Sequence, residues 1–284
     1  MAVTFRTLAS EPAELGESPV WVEAENCVWW VDIDGKRLLR TDADSGKTAV
    51  WATPETPGFV APTMKGGIVV GMETGLFSFA EEDGGFTRLL ALDAPGMRFN
   101  DATTDDRGRI WAGTMTMGER RPEGVLYRID PDLTMTPVIT GLMTANGLAV
   151  DAARGRLYLS DSNSDVQTVW TADLDMASGA LGEREVFLDM FGVTGRPDGA
   201  ALDAEGNYWL AGITGGVVYH FAPDGTVISE FPVPALDPTK PCFGGPALDR
   251  LFVSTRKSET GAGGLIVADT IGVRGRPVPH FGAA

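Results

Sequence analysis

Val193-Thr194-Gly195-Arg196-Pro197-Asp198-Gly199-Ala200-Ala201-Leu202-Asp203, followed at once by Ala204-Glu205-Gly206-Asn207-Tyr208-Trp209-Leu210, is the stretch from which the fold can be read. An acidic residue, Asp198, sits between a proline and a glycine. A short apolar run follows, then an Asp-x-x-Gly turn, then a second apolar run carrying a tryptophan. Two runs of strand-forming residues joined by turn chemistry read as a β-hairpin.

The same unit recurs in both directions. Upstream it is Gly16-Glu17-Ser18-Pro19-Val20-Trp21 with Cys27-Val28-Trp29-Trp30-Val31-Asp32, then Phe59-Val60-Ala61-Pro62 with Gly67-Ile68-Val69-Val70-Gly71. Next come Arg98-Phe99-Asn100-Asp101 with Ile110-Trp111-Ala112-Gly113-Thr114, and Ala145-Asn146-Gly147-Leu148 with Leu157-Tyr158-Leu159-Ser160-Asp161. Downstream it is Cys242-Phe243-Gly244-Gly245 with Leu251-Phe252-Val253-Ser254-Thr255. Setting Glu17, Ala61, Asn100, Asn146, Asp198 and Gly244 in one column gives intervals of 44, 39, 46, 52 and 46 residues. Periods of this length filled with several short strands indicate an all-β, six-bladed β-propeller, expected to span residues 1–284 as one domain. The sixth unit is short of strands, and Val3-Thr4-Phe5-Arg6-Thr7-Leu8 has nothing else to pair with. That N-terminal stretch is expected to complete the last blade and remove a sheet edge.

Composition narrows the function. The 284 residues carry 39 acidic against 23 basic side chains, a net charge of −16, with 36 glycines and 18 prolines that suit a turn-rich chain. Such a surface repels phosphate backbones and anionic lipid, so no nucleic-acid or membrane partner is expected. No window approaches the roughly 18 apolar residues of a membrane span. Met1 to Leu8 lacks the apolar core of a signal peptide, which makes a cytoplasmic location the expectation. Cys27 and Cys242 read as buried free thiols rather than a disulfide framework. With His220 and His280 as the two histidines, a Ser-His-Asp or His-rich zinc mechanism is poorly supplied. The tryptophans and Met64, Met72, Met115 and Met117 read as packing residues first, and Trp51, in a turn-rich stretch, as an exposed one.

In a propeller the first strand of each blade lines the central channel, so residues 40 to 50 apart in sequence meet on one ring. That ring holds Glu17, Asn146 and Asp198. Two carboxylates and an amide carbonyl form an all-oxygen set that suits a hard divalent cation. Taken singly, each residue serves equally well as a turn former. Asp101, next to Asn100, is expected to point the other way along a regular strand, and the alternative role for Arg98 is a structural ion pair with Asp101.

At this point the chain resembles the gluconolactonase/regucalcin (senescence marker protein) family of six-bladed propellers. The motifs are Gly16-Glu17-Ser18-Pro19-Val20-Trp21, Arg98-Phe99-Asn100-Asp101, Ala112-Gly113-Thr114-Met115, Asn146-Gly147-Leu148, Pro197-Asp198-Gly199 and Cys242-Phe243-Gly244-Gly245. The resemblance runs over essentially the whole length. It implies one catalytic divalent cation (Ca²⁺, Zn²⁺, Mn²⁺, Mg²⁺ or Fe²⁺) on Glu17, Asn146 and Asp198, with substrate contacts from Arg98 and Asn100. It also implies a substrate-contacting glutamate after Ala-Gly-Thr-Met. The aligned position here is Gly118, with Glu119 beside it as the candidate. The implied activity is hydrolysis of sugar lactones to aldonic or aldaric acids, with Asp198 as the catalytic base. The implied partner is a small-molecule sugar lactone, and a closed propeller is expected to be a monomer. The competing readings are a calcium-binding or ligand-sensing propeller without turnover, and an organophosphate or aryl-ester hydrolase, which a shortage of histidines disfavours.

Overall fold

The computed structural model describes residues 3–259 and 261–282. Met1 and Ala2, at the head of the stretch read above for a signal peptide, lie outside them. The described residues form six four-stranded antiparallel sheets and one 3-10 turn, Glu23–Glu25. The inner strands are Gly16–Val22, Phe59–Pro62, Met97–Thr104, Ala145–Asp151, Arg196–Leu202 and Pro238–Gly244. Each packs beside the inner strand of the next blade, and Pro238–Gly244 returns to Gly16–Val22 to close the ring. This is the six-bladed propeller expected from the repeat. No described helix is long and apolar enough to cross a membrane.

The last blade is closed as the orphan N-terminal stretch predicts. Phe5–Thr7 pairs antiparallel with Gly264–Ala268, Phe5 opposite Ala268 and Thr7 opposite Ile266. The sixth unit differs from its reading in phase. Gly244 ends its inner strand rather than lining the ring, and the polar residue at the level of the site is Lys240. The Cys-Phe-Gly-Gly segment mimics a strand start because its glycines look like turn residues. The strand has already run through Pro238-Thr239-Lys240 before reaching it.

Blades are held to one another by side chains that alternate between the two faces of each sheet. Trp29 and Trp30 are adjacent in sequence and both buried. Trp29 faces the seam with the second blade, beside Val70 and Phe79. Trp30 faces the seam with the sixth, beside Phe252 and Val267. Burying a side chain of this kind contributes roughly 2–3 kcal/mol, so these seams set the blade order. Trp51 is half-buried, its ring stacked 5.4 Å from that of Trp29, and not the exposed residue expected. Met72 and Met115 are core residues, whereas Met64 and Met117 stand out in solvent. Cys27 and Cys242 are buried free thiols.

The two ends of the channel differ. The Asp-x-x-Gly turns that follow the inner strands tie themselves down. Asp105 accepts the Arg107 amide at 2.8 Å, the Arg109 guanidinium at 2.7 Å and the Trp111 indole at 2.8 Å. Asp203 accepts the Asn207 amide at 2.9 Å, the Trp209 indole at 3.1 Å and shares a bond with His220 Nε2 at 3.1 Å. The C-terminal tail then crosses this end. Gly275 bridges to Asp203 and Phe281 to Thr63. Arg276 reaches Asp106 at 2.6 Å and Asp151 at 3.7 Å. A side chain at Gly275 would collide with Phe243, at 2.0 Å from its Cβ and 2.1 Å from its ring, so the crossing requires glycine. Above the tail the channel wall is small and apolar, with Val60, Ala102, Leu148 and Ala200 facing Pro277 and Pro279. The tail lies across this end of the channel, away from the strand starts that lead to the other end.

Candidate active site

Four inner strands break their pairing at the same level. Between Glu17 and Val20, Phe99 and Ala102, Asn146 and Ala149, and Pro197 and Ala200, three steps on the inner strand face two on its neighbour. An extra residue of this kind is a β-bulge, which bends the strand and re-aims its side chains. The backbone pays locally: Ser18 has φ 51° and Gly147 φ 62°. A Cβ on Gly147 would lie 2.6 Å from both Ser160 Oγ and Tyr208 Oη, and that tyrosine donates to the Gly147 carbonyl at 2.7 Å. Glycine is therefore the residue this bulge admits.

The bulges turn a column of repeat positions into a cluster. Glu17 and Asn146 stand at the first residue of their bulges, Asn100 and Asp198 at the second, and Asp101 at the third. The one-column alignment of Glu17, Asn146 and Asp198 is thus corrected by one residue for Asp198.

A hydrogen-bond chain runs across three blades. Arg98 Nη1 donates to Asn100 Oδ1 at 2.8 Å, Asn100 Nδ2 to Asn146 Oδ1 at 3.0 Å, and Asn146 Nδ2 to Ser162 Oγ at 2.7 Å. Ser162 donates to the Pro197 carbonyl at 2.5 Å and lies 3.5 Å from Asp198 Oδ1. Glu17 completes the ring from the first blade, its Oε2 accepting the Ser18 amide at 3.0 Å. All of these side chains are buried.

Asp101 lies inside the bulge rather than on the regular strand whose alternation would have turned it away from Asn100, and its carboxylate is met by a side chain from across the channel. Its cation is Lys240, not Arg98: Lys240 Nζ lies 2.5 Å from Asp101 Oδ1, crossing the channel from the sixth blade to the third. The lysine stem passes over Gly199, where a Cβ would come within 2.5 Å of it. That clearance accounts for the glycine of Pro197-Asp198-Gly199. Lys240 and Ser162 were not found by sequence reasoning. Lys240 was hidden by the misplaced start of the sixth unit, and no motif marks Ser162.

The electrostatics follow from burial. Asp198 is held well above the usual carboxylate range, first by loss of water and then by the charges of Glu17 and Asp101. Glu17 is pushed up to about 7 by burial and by Asp101, with the Ser18 amide, Lys240 and Arg98 pulling the other way. Buried carboxylates that repel one another in this way favour a cation between them. Asn146 Oδ1 adds a neutral oxygen, here accepting from Asn100 Nδ2 at 3.0 Å. The donor set therefore fits a hard divalent cation, although no three His, Cys, Asp or Glu side chains cluster among the described residues. Arg98 is lowered to about 10 by burial and then by the charge of Arg120.

Two candidates lie apart from this cluster. Glu119 sits on the exposed turn after Ile110–Thr116, and its carbonyl accepts the Thr116 hydroxyl at 2.7 Å. His220 is engaged with Asp203 and stacked on Trp209 at 4.1 Å. With His280 in the tail, neither histidine is among the residues of the ring.

The chain is similar to known proteins over nearly its whole length. Residues 15–257 match the SMP-30/Gluconolactonase/LRE-like region. The chain is 33% identical to a 6-deoxy-6-sulfogluconolactonase of Pseudomonas putida, covering 99% of each protein. It is also 33% identical to a pentonolactonase of Haloferax volcanii, over 89% of this chain and 85% of that one. The crystal structure of a calcium-binding protein, regucalcin, from Agrobacterium tumefaciens superposes with a TM-score of 0.91 at 27% identity, over 99% of this chain and 98% of that one.

Proposed function

The chain belongs to the SMP-30/gluconolactonase/LRE-like family, and on that premise we propose that it is a metal-dependent lactonase opening sugar lactones to their hydroxy acids. The observation that carries the reading is the convergence, at four bulges of the inner strands, of Glu17, Asn146 and Asp198 with the donors Arg98 and Asn100.

Glu17, Asn146 and Asp198 would hold the divalent cation, which when bound supplies Lewis acidity toward the carbonyl and lowers the pKa of water. The remaining work falls to the chain's own side chains. Arg98 and Asn100 orient the lactone through its hydroxyls and carbonyl, and Arg98 stabilises negative charge developing on the carbonyl oxygen. Asp198 takes the proton of the water that adds to the carbonyl carbon. When the ring C–O bond breaks, that proton goes to the leaving ring oxygen, and the product is the open hydroxy acid.

The test is proton release on a panel of aldono- and aldarolactones, using protein stripped by chelator and then given single divalent metals. Hydrolysis restored by metal is the expected result. Silence across the panel by protein that still binds metal would overturn the lactonase reading in favour of ligand sensing.

A further inference from the structure

The inner strands run from the far end of the channel, its mouth, toward the tail, which meets them at Leu202 and Asp203. Residues ahead of the site on these strands therefore lie toward the mouth. Arg98 precedes Asn100 by two residues, and Arg196 precedes Asp198 by two. The second strand of a blade returns to the same end, so the turn after Ile110–Thr116 brings Arg120 there as well.

None of these three arginines has a carboxylate within ion-pair distance among the described residues. Arg98, 7% exposed, donates to the Phe99 carbonyl and to Asn100 Oδ1, both at 2.8 Å. Arg120 donates only to carbonyls, Thr116 at 2.7 Å and Gly118 at 3.1 Å. Arg196 is partly buried and its Nε is enclosed with no acceptor at all. The acids at this end are engaged or open to water. Glu73 is taken by the Thr56 amide and lies 3.9 Å from Lys36, while Asp34 is exposed on its turn. Arg120 is exposed, but on a chain with 39 acidic and 23 basic residues, leaving the buried Arg98 and the partly buried Arg196 without anions is costly unless an anion arrives with the substrate.

We infer that the mouth is built for a lactone carrying a second, anionic group far from its carbonyl, a carboxylate or sulfonate on the terminal carbon, received by Arg196 and Arg120 beside Arg98. The inference rests on the lactonase reading and deepens it. Guanidinium groups match such anions with paired N–H donors.

The experiment compares kcat/KM for gluconolactone, glucarolactone and 6-deoxy-6-sulfogluconolactone, with the wild type, Arg196→Gln, Arg120→Gln and Arg196→Lys. The wild type is expected to favour the anionic lactones over gluconolactone by about 10- to 100-fold, less so in added salt. Each Gln variant is expected to shrink that ratio about tenfold, mainly through KM, and Arg196→Lys to restore part of it. Hydrolysis of all three lactones without preference, or a preference untouched by both Gln variants, overturns this inference alone. Hydrolysis of none overturns the lactonase reading and this one with it.

Discussion

Asp198 and Asp203 are five residues apart around one inner strand and experience opposite physics. Asp203, at the tail end of the channel, is desolvated, yet bonds from His220, Asn207 and Trp209 outweigh that and bring it down to about 2. Asp198, at the site, is desolvated beside two further carboxylates and is driven the other way. The tail end satisfies its charges internally and is finished as a structure. The candidate site leaves Asp198 and Glu17 without a paired cation, the pattern expected of a binding centre rather than of a cap built of the same residue type.

The sharpest way to break this comparison is Asp198→Asn. Lactone hydrolysis is expected to fall by about 10³-fold, while the thermal midpoint stays level or rises, because a repelling charge has been removed. A loss of stability would show Asp198 to be structural instead. Next in size is Lys240→Met, which strands Asp101 as a buried unpaired charge and is expected to cost roughly 3–5 kcal/mol in denaturant unfolding. Adding Asp101→Asn should recover much of that loss, whereas simple additivity in the double-mutant cycle would dissolve the pair.

Asp203→Asn should cost about 2 kcal/mol at neutral pH. A depressed folded pKa contributes stability that is complete above the unfolded value and lost as pH falls. The wild-type advantage should therefore shrink between about pH 4 and 2. Glu17 reverses the sign. With its folded value raised to about 7, metal-stripped protein should lose stability as pH climbs from about 4.5 to 7, and a divalent cation should abolish that slope. Smallest is Arg276→Met, which removes the tail's partly exposed bonds to Asp106 and Asp151 and should cost about 1 kcal/mol or less. A large loss would mean that the tail governs the whole ring.

The fold was legible because its repeat is written in side chains that fix local structure. Asp105 with Trp111 and Asp203 with Trp209 read as turn and strand from residue order alone, and both pairs close by hydrogen bonds. Glu17, Asn100, Asn146 and Asp198 were legible as members of a ring for the same reason. Their offsets were not, since a bulge inserts a residue without leaving a mark other than Gly147 or the Ser18-Pro19 pair. Lys240 escaped for a different reason. Its partner is 139 residues away, and a contact across a channel has no periodicity to betray it. Nor does any local pattern report that Arg196 lacks an acceptor, because that is a property of the surrounding space.

The strand that closes the ring has a consequence for how the chain is made. Phe5–Thr7 leaves a ribosome well over 200 residues ahead of its partner Gly264–Ala268. At ordinary rates of synthesis the early strand waits roughly 13–50 s for its partner. Five sheets can form in order of appearance from neighbours in sequence, but the sixth cannot be finished until Gly264–Ala268 has been made. Closure is thus a late event, and until it occurs the seam between the sixth blade and the first, with Trp30 and Phe252 at its centre, is the part of the molecule exposed to chaperones and proteases.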